Sequence, residues 1–184
     1  MMENAEIFGV DTISRLPELL KKPHDLVVVD VGSGNYISTL VEKGTLLILI
    51  GPNLDPANLD WGDNYQDEGG EVLALPMRVE DVGDFLSNKA DRIQMIAPDP
   101  DEALTMLDSS LPMLKKGGEA VLIFDIVSNK KEKVDGAIAA IKEEYSRLRS
   151  RTFEPNELDP DEAVEGTINS GIISGSGKVL ILRK

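Results

Sequence analysis

The chain contains no cysteine. That excludes disulfides, thiolate nucleophiles and zinc–cysteine sites together, and suits a reducing compartment. Histidine occurs once, as His24 beside Pro23. A lone histidine ahead of the first long apolar run, with no ligand-type spacing of His, Asp and Glu elsewhere, gives no basis for a metal site, and none is expected. Aromatic residues are only 4% of the chain. Two of them, Trp61 and Tyr65, fall in one acidic stretch and read as anchors of a loop rather than a stacking platform. No apolar run approaches the roughly 20 residues needed to cross a bilayer. The opening MMENAEIFG has no basic segment leading into an apolar one, so nothing marks it for export and a cytoplasmic location is expected.

Basic residues are also in short supply. Lys and Arg number 19 against 33 Asp and Glu, a formal net charge of −14. A field of that sign repels phosphate backbones, so nucleic acid is expected to be an unlikely partner and a basic protein a better one. The local exception is RLRSRTF, where Arg147, Arg149 and Arg151 would share one face of a strand.

What is present is a strong alternation of strand and helix signals. At 184 residues the chain is long enough for one domain with a core that needs no cross-links. DTISRLPELLKK predicts a first helix, with Asp11 as a fitting cap and Ile13, Leu16 and Leu20 at helical spacing. Continuous apolar runs at Leu26 to Val31 and Thr45 to Ile50 predict strands covered on both faces, as in a parallel sheet between helices. Between them, Ile37, Leu40 and Val41 share a helical face that Gly44 ends. EVLAL and RIQMIA predict two more strands, with Val82, Phe85 and Leu86 on the helix that separates them. Leu104, Leu107, Leu111 and Leu114 form a stripe that Gly117 and Gly118 end before the strand EAVLIFDI. A long helix follows, carrying Val134, Ile138, Ile141, Tyr145 and Leu148. RLRSRTF and GKVLILRK have no helix between them and should pair antiparallel. The segment 51–70 is a long loop rich in Gly, Pro, Asn and Asp, a length often tied to function. The expected fold is α/β: a three-layer sandwich around a seven-stranded, mostly parallel sheet with a C-terminal antiparallel hairpin.

In such a sheet, ligands sit beyond the carboxyl ends of the strands, where strand order reverses. Gly32 and Gly34 of VVVDVGSGNY stand at one of these ends. Without Cβ atoms the backbone there can turn sharply and approach a ligand closely. A tight turn with no ligand is the plainer reading of two glycines alone.

VVVDVGSGNY resembles the first motif of class I S-adenosylmethionine (SAM)-dependent methyltransferases, in which an acid near the strand end precedes a Gly-x-Gly turn. LILIGPNLDPANL is similar to that family's next motif, whose strand ends at an acid that grips the ribose hydroxyls. LPMLKKGGEAVLIFDI resembles the late motif, a helix ending in Gly-Gly before the fifth strand. A dinucleotide-binding dehydrogenase would want a third glycine where Ile37 stands. GSGN and RIQMIAPDP are also similar to motifs of tRNA guanine methyltransferases, although DEALTML follows here where that family has Trp and a basic stretch.

The resemblance implies a Rossmann-like core over 25–184, preceded by an N-terminal helical segment over 1–24, with SAM as cofactor. Asp30, Gly32, Ser33, Gly34 and Asn53 take the cofactor-binding positions, Asn53 standing where the family has the ribose-binding acid. Tyr36 replaces a glycine of the first motif, and PMRVED offers Arg78, Glu80 and Asp81 after the third strand. Asp99, between two prolines past the fourth strand, is the candidate catalytic residue for acceptor contact, ahead of Asp125; as a helix cap it would have a purely structural role. The implied function is methyl transfer to a small-molecule or protein acceptor. The alternative is a non-catalytic protein of this fold that regulates or inhibits a partner through its acidic surface.

Overall fold

The computed structural model describes residues 6–8, 13, 16–32, 34, 35, 37, 41–59, 70–126, 129–154 and 177–184. Among the described residues, eight strands form one sheet: β1 (Glu6–Phe8), β2 (Leu26–Val31), β3 (Thr45–Ile50), β4 (Glu71–Leu75), β5 (Ala90–Ile96), β6 (Leu114–Asp125), β7 (Arg149–Phe153) and β8 (Gly177–Arg183). Their order is β1-β4-β3-β2-β5-β6-β8-β7, and every pairing from β1 to β6 is parallel. β8 runs antiparallel to both β6 and β7. The seven expected strands are therefore present, with short β1 added at the edge beside β4.

The continuous apolar runs are explained by what lies on each face. All six residues of β3 are buried, because alternate side chains enter different cores. Leu46, Ile48 and Ile50 pack into the large core with α2 (Val79–Leu86), α3 (Ala103–Ser110) and α4 (Lys131–Glu144). Leu47 and Leu49 face the other way, against Val28, Ile37, Val41 and Leu54. Each such Leu or Ile fully buried is stabilising by roughly 1.5–3 kcal/mol. On α4 the stripe of Val134, Ile138 and Ile141 is buried as its spacing requires.

Several expectations are corrected. Among its described residues the N-terminal segment holds the strand β1 as well as the helical turn α1 (Leu16–Leu19); Asp11 lies outside the described residues. The stripe through Leu114 does not stay helical. Proline supplies no N–H to continue a helix; α3 stops at Ser110, Pro112 sits in a 3-10 turn, and Leu114 opens β6. Gly118 then lies inside the strand, where a Cβ would come within 2.8 Å of the Asp91 carbonyl oxygen. Phe85 falls off the edge of the Val79, Val82 and Leu86 stripe and is 52% exposed. Arg147 precedes β7, so only Arg149 and Arg151 alternate along that strand.

Side-chain ties hold the amino ends of the strands. Asp91 accepts from the Val27 backbone N–H at 2.9 Å and from Lys115 at 2.8 Å, joining β2, β5 and β6. Glu71 on β4 is met by Lys22 at 2.6 Å and His24 at 3.2 Å. Burial pushes the Glu71 carboxyl up, but the hydrogen bonds and charges of Lys22 and His24 outweigh it and hold the group below its ordinary value of 4.5. Among the described residues, no helix is long and apolar enough to cross a membrane.

Candidate functional site

The chain builds outward from β2 to β3 and β4, then returns to place β5 on the other side of β2. Strand order reverses at β2, and a cleft of about 710 Å³ opens there, past the carboxyl ends of the parallel strands. Val31 and Gly32 follow from β2, Ile50 to Asn53 from β3, Met77 to Glu80 after β4, and Ile96 to Asp99 from β5. Thr105 and Met106 of α3 close one side. The volume lies within the range of small-molecule sites, about 300–1,000 Å³.

Gly32 carries the chain from β2 into this lining. Its φ is +76°, its N–H donates to the Ile50 carbonyl at 2.8 Å, and an added Cβ would sit 2.5 Å from Met106 Cε. The backbone is bare at the point where it meets the cleft, with the Met106 methyl packed against it. Gly34 differs, since a Cβ there would meet nothing within 4 Å. Ser33 and Tyr36 lie outside the described residues, as do Trp61 and Tyr65. The Asn35 side chain accepts from the Asp55 N–H at 2.6 Å, and Asp55 in turn caps the short helix Pro56–Asn58. These bonds tie the loop carrying Asn53 to the turn after β2.

Asp30 is not in the lining. It is 2% exposed inside β2 and accepts from Gln94 Nε2 of β5 at 2.8 Å. The pair joins the two strands between which the order reverses, directly beneath the turn. Asn53 and Asp99 both reach the cleft. Asp99 also anchors the start of α3, where its Oδ1 accepts from the Asp101 N–H at 2.9 Å and its carbonyl accepts from Glu102 and Ala103. Asp125 does not line the cleft, and its carbonyl accepts from Asn129 Nδ2 at 3.1 Å.

The rim is acidic, with Glu80, Asp99, Asp101 and Glu102 against Arg78. Lys133 reaches Asp101 from α4, and that hydrogen bond, followed by the aspartate's charge, holds the ammonium above its usual range. Among the described residues no group of three or more His, Cys, Asp or Glu could hold a metal ion. His24 sits on Glu71 at the other end of the strands. Sequence reasoning missed Met106, which reads as one more helix core position, and Ala97, whose φ of +49° carries no sequence signal. Gln94 was legible only as a polar residue within an apolar strand.

No protein-family model matches the chain, and no curated protein does. Solved structures do match. The 16S rRNA (adenine(1408)-N(1))-methyltransferase from Catenulisporales acidiphilia has a TM-score of 0.64 at 13% identity, covering 98% of this chain and 96% of its own. The aminoglycoside resistance methyltransferase NpmB1 has a TM-score of 0.55 at 17% identity, covering 100% and 99%. The 16S rRNA methyltransferase KamB has a TM-score of 0.52 at 13% identity, covering 100% and 97%. At such identities the likeness shows the fold, and the chain has the class I methyltransferase fold.

One expectation is overturned by these matches. Nucleic acid was expected to be an unlikely partner, yet structures matching the chain over nearly its whole length are named as rRNA methyltransferases. The net charge of −14 misleads because it is a sum over the surface. A phosphate feels charges within about 8 Å at physiological ionic strength, so one face can oppose the total.

Proposed function

We propose that this chain transfers a methyl group from SAM to a base of RNA. The observation that carries the reading is the cleft at the point of strand reversal, lined by a left-handed glycine whose missing Cβ leaves room for the Met106 methyl that closes one side. The resemblance of the Gly-x-Gly turn to the methyltransferase motif, and a matching structure solved with cosubstrate SAM, support the choice of cofactor. The rRNA enzymes among the matched structures support RNA as acceptor.

When bound, SAM supplies an electrophilic methyl group on a sulfonium. The residues of this chain would act mainly by placement, since in-line displacement needs proximity and alignment above all. Gly32 and Gly34 give the backbone its close approach, while Asp30, bonded to Gln94, holds the strand end beneath them. Asn53 offers one amide oxygen and one NH₂ group to ribose hydroxyls. The rim, four carboxylates to one guanidinium, favours a ligand with a cationic centre. Asp99, fixed by its bond from the Asp101 N–H, would orient the acceptor.

Calorimetry with SAM, followed by transfer of labelled methyl to small-subunit rRNA, tests the reading. Heat of binding and label in the RNA are expected. Silence at about 1 mM SAM, where even 4 kcal/mol of binding free energy would register, would sink the cofactor assignment. Binding without transfer to any RNA would remove the acceptor.

A further inference from the structure

Across β5, β6, β8 and β7, one charged residue from each strand lies in register on a single face. Arg92 pairs with Glu119, Glu119 with Arg183, and Arg183 with Arg149. Strands sit about 4.8 Å apart, so the row is roughly 14 Å long. Glu119 is shared: Oε1 accepts from Arg92 at 2.8 Å, and Oε2 lies 3.4 Å from Arg183 Nε. Two residues along β7, Arg151 shares the face and lies 5.3 Å over the Phe153 ring. Among the described residues, the β8–β7 end of this face carries three guanidiniums, Arg183, Arg149 and Arg151, in a chain with a net charge of −14.

The outer end of the row is the informative part. Arg149 and Arg183 stand directly opposite each other, and like charges opposite across an antiparallel pair destabilise the sheet. The Arg183 side chain is 60% exposed and Arg149 is also exposed. An anion bridging the two would remove the repulsion, and the planar guanidinium fork matches phosphate oxygens in pairs. Cations on the two neighbouring strands β8 and β7, with Arg151 two residues further along, suit successive phosphates better than a single ion. The inner end is closed to such a ligand, because the Arg92 side chain is 12% exposed and its Nε and Nη2 both donate to Glu119.

We infer that the outer part of this arginine row, Arg183, Arg149 and Arg151, is a docking surface for the phosphate backbone of RNA, holding the strand while a base reaches the cleft. The inference rests on the reading of RNA as acceptor. Arg149→Glu tests it well, because glutamate opposite Arg183 relieves the like-charge pair. The variant should melt no lower than the parent, so a loss of binding cannot be blamed on misfolding. Polarisation with a fluorescein-labelled RNA hairpin should show at least about tenfold weaker binding at 0.15 M salt. The slope of log affinity against log salt should fall by about 1 or more.

Equal affinity and slope in parent and variant overturn the row, as does a parent that binds no RNA. Displacement of the hairpin by a polyglutamate peptide as readily as by unlabelled RNA also overturns it, marking a protein-facing surface instead. SAM calorimetry on the same variant separates the two claims. RNA binding that depends on Arg149 in a chain that ignores SAM would keep the row and discard the cofactor reading.

Discussion

At Gly32 an L side chain would meet two separate obstacles. The left-handed backbone alone costs about 1–2 kcal/mol for alanine, and the new Cβ would press on the Met106 methyl at 2.5 Å. Gly32→Ala should therefore lower the melting temperature by roughly 2–8 °C as well as block the cofactor. Gly34→Ala separates these effects, because its Cβ enters open space. Its thermal melt should stay within about 0.5 kcal/mol of the parent, while calorimetry shows weaker SAM binding. If Gly34→Ala binds SAM like the parent, the turn is structural at that position. Asn53 gives the opposite kind of test. A carboxylate accepts with charge assistance that an amide lacks, so Asn53→Asp should tighten SAM several-fold. Unchanged affinity would mean that the ribose lies elsewhere.

Between elements, polar ties at the strand starts complement the apolar layers. Glu71 connects β4 to the segment after α1 through Lys22 and His24. Its carboxyl is held below the ordinary 4.5, so the folded state binds that proton less readily than the unfolded chain. The contribution is complete above pH 4.5 and is lost as pH falls through the lowered value. Urea melts from pH 6 down to 3 should show a steeper acid loss in the parent than in Glu71→Gln, whose stability lacks this titration. Parallel profiles would mean that the ion pair contributes nothing measurable, as for many exposed pairs.

Over the whole molecule, the legible parts were those where one local pattern sufficed. TLLILI is buried on both faces, so its continuous apolar run pointed to a central strand without knowledge of its neighbours. Gly32 and Asn53 were legible as residues that line the cleft because strand ends are visible in the sequence and the cleft gathers strand ends. Other features depend on register, which no single segment contains. Asp30 reads as a ligand-facing acid until β5 places Gln94 beside it. The Arg149 and Arg183 pair needs β7 and β8 aligned, and the sum of charges concealed it. Leu104 to Leu114 kept helical spacing across Pro112, and the proline, rather than the later glycines, ended the helix. β1 has three residues, too few for any periodicity.

The place of β8 also bears on how the chain reaches this state during synthesis. β8 lies between β6 and β7 yet follows both in the chain, so among the described strands β7 has no partner except β8. Until residues 177–183 emerge, β6 presents an open backbone edge beside the apolar face of Val121 and Ile123, and β7 has no partner among the described strands. Closure over so long a separation is slow compared with local contacts. A nascent chain therefore passes through an interval in which a long apolar strand is available to other chains. A protein ending at residue 176 would make that interval permanent. It should appear as aggregate on size exclusion, whereas a soluble monomer would show that the parallel strands stand without this late insertion.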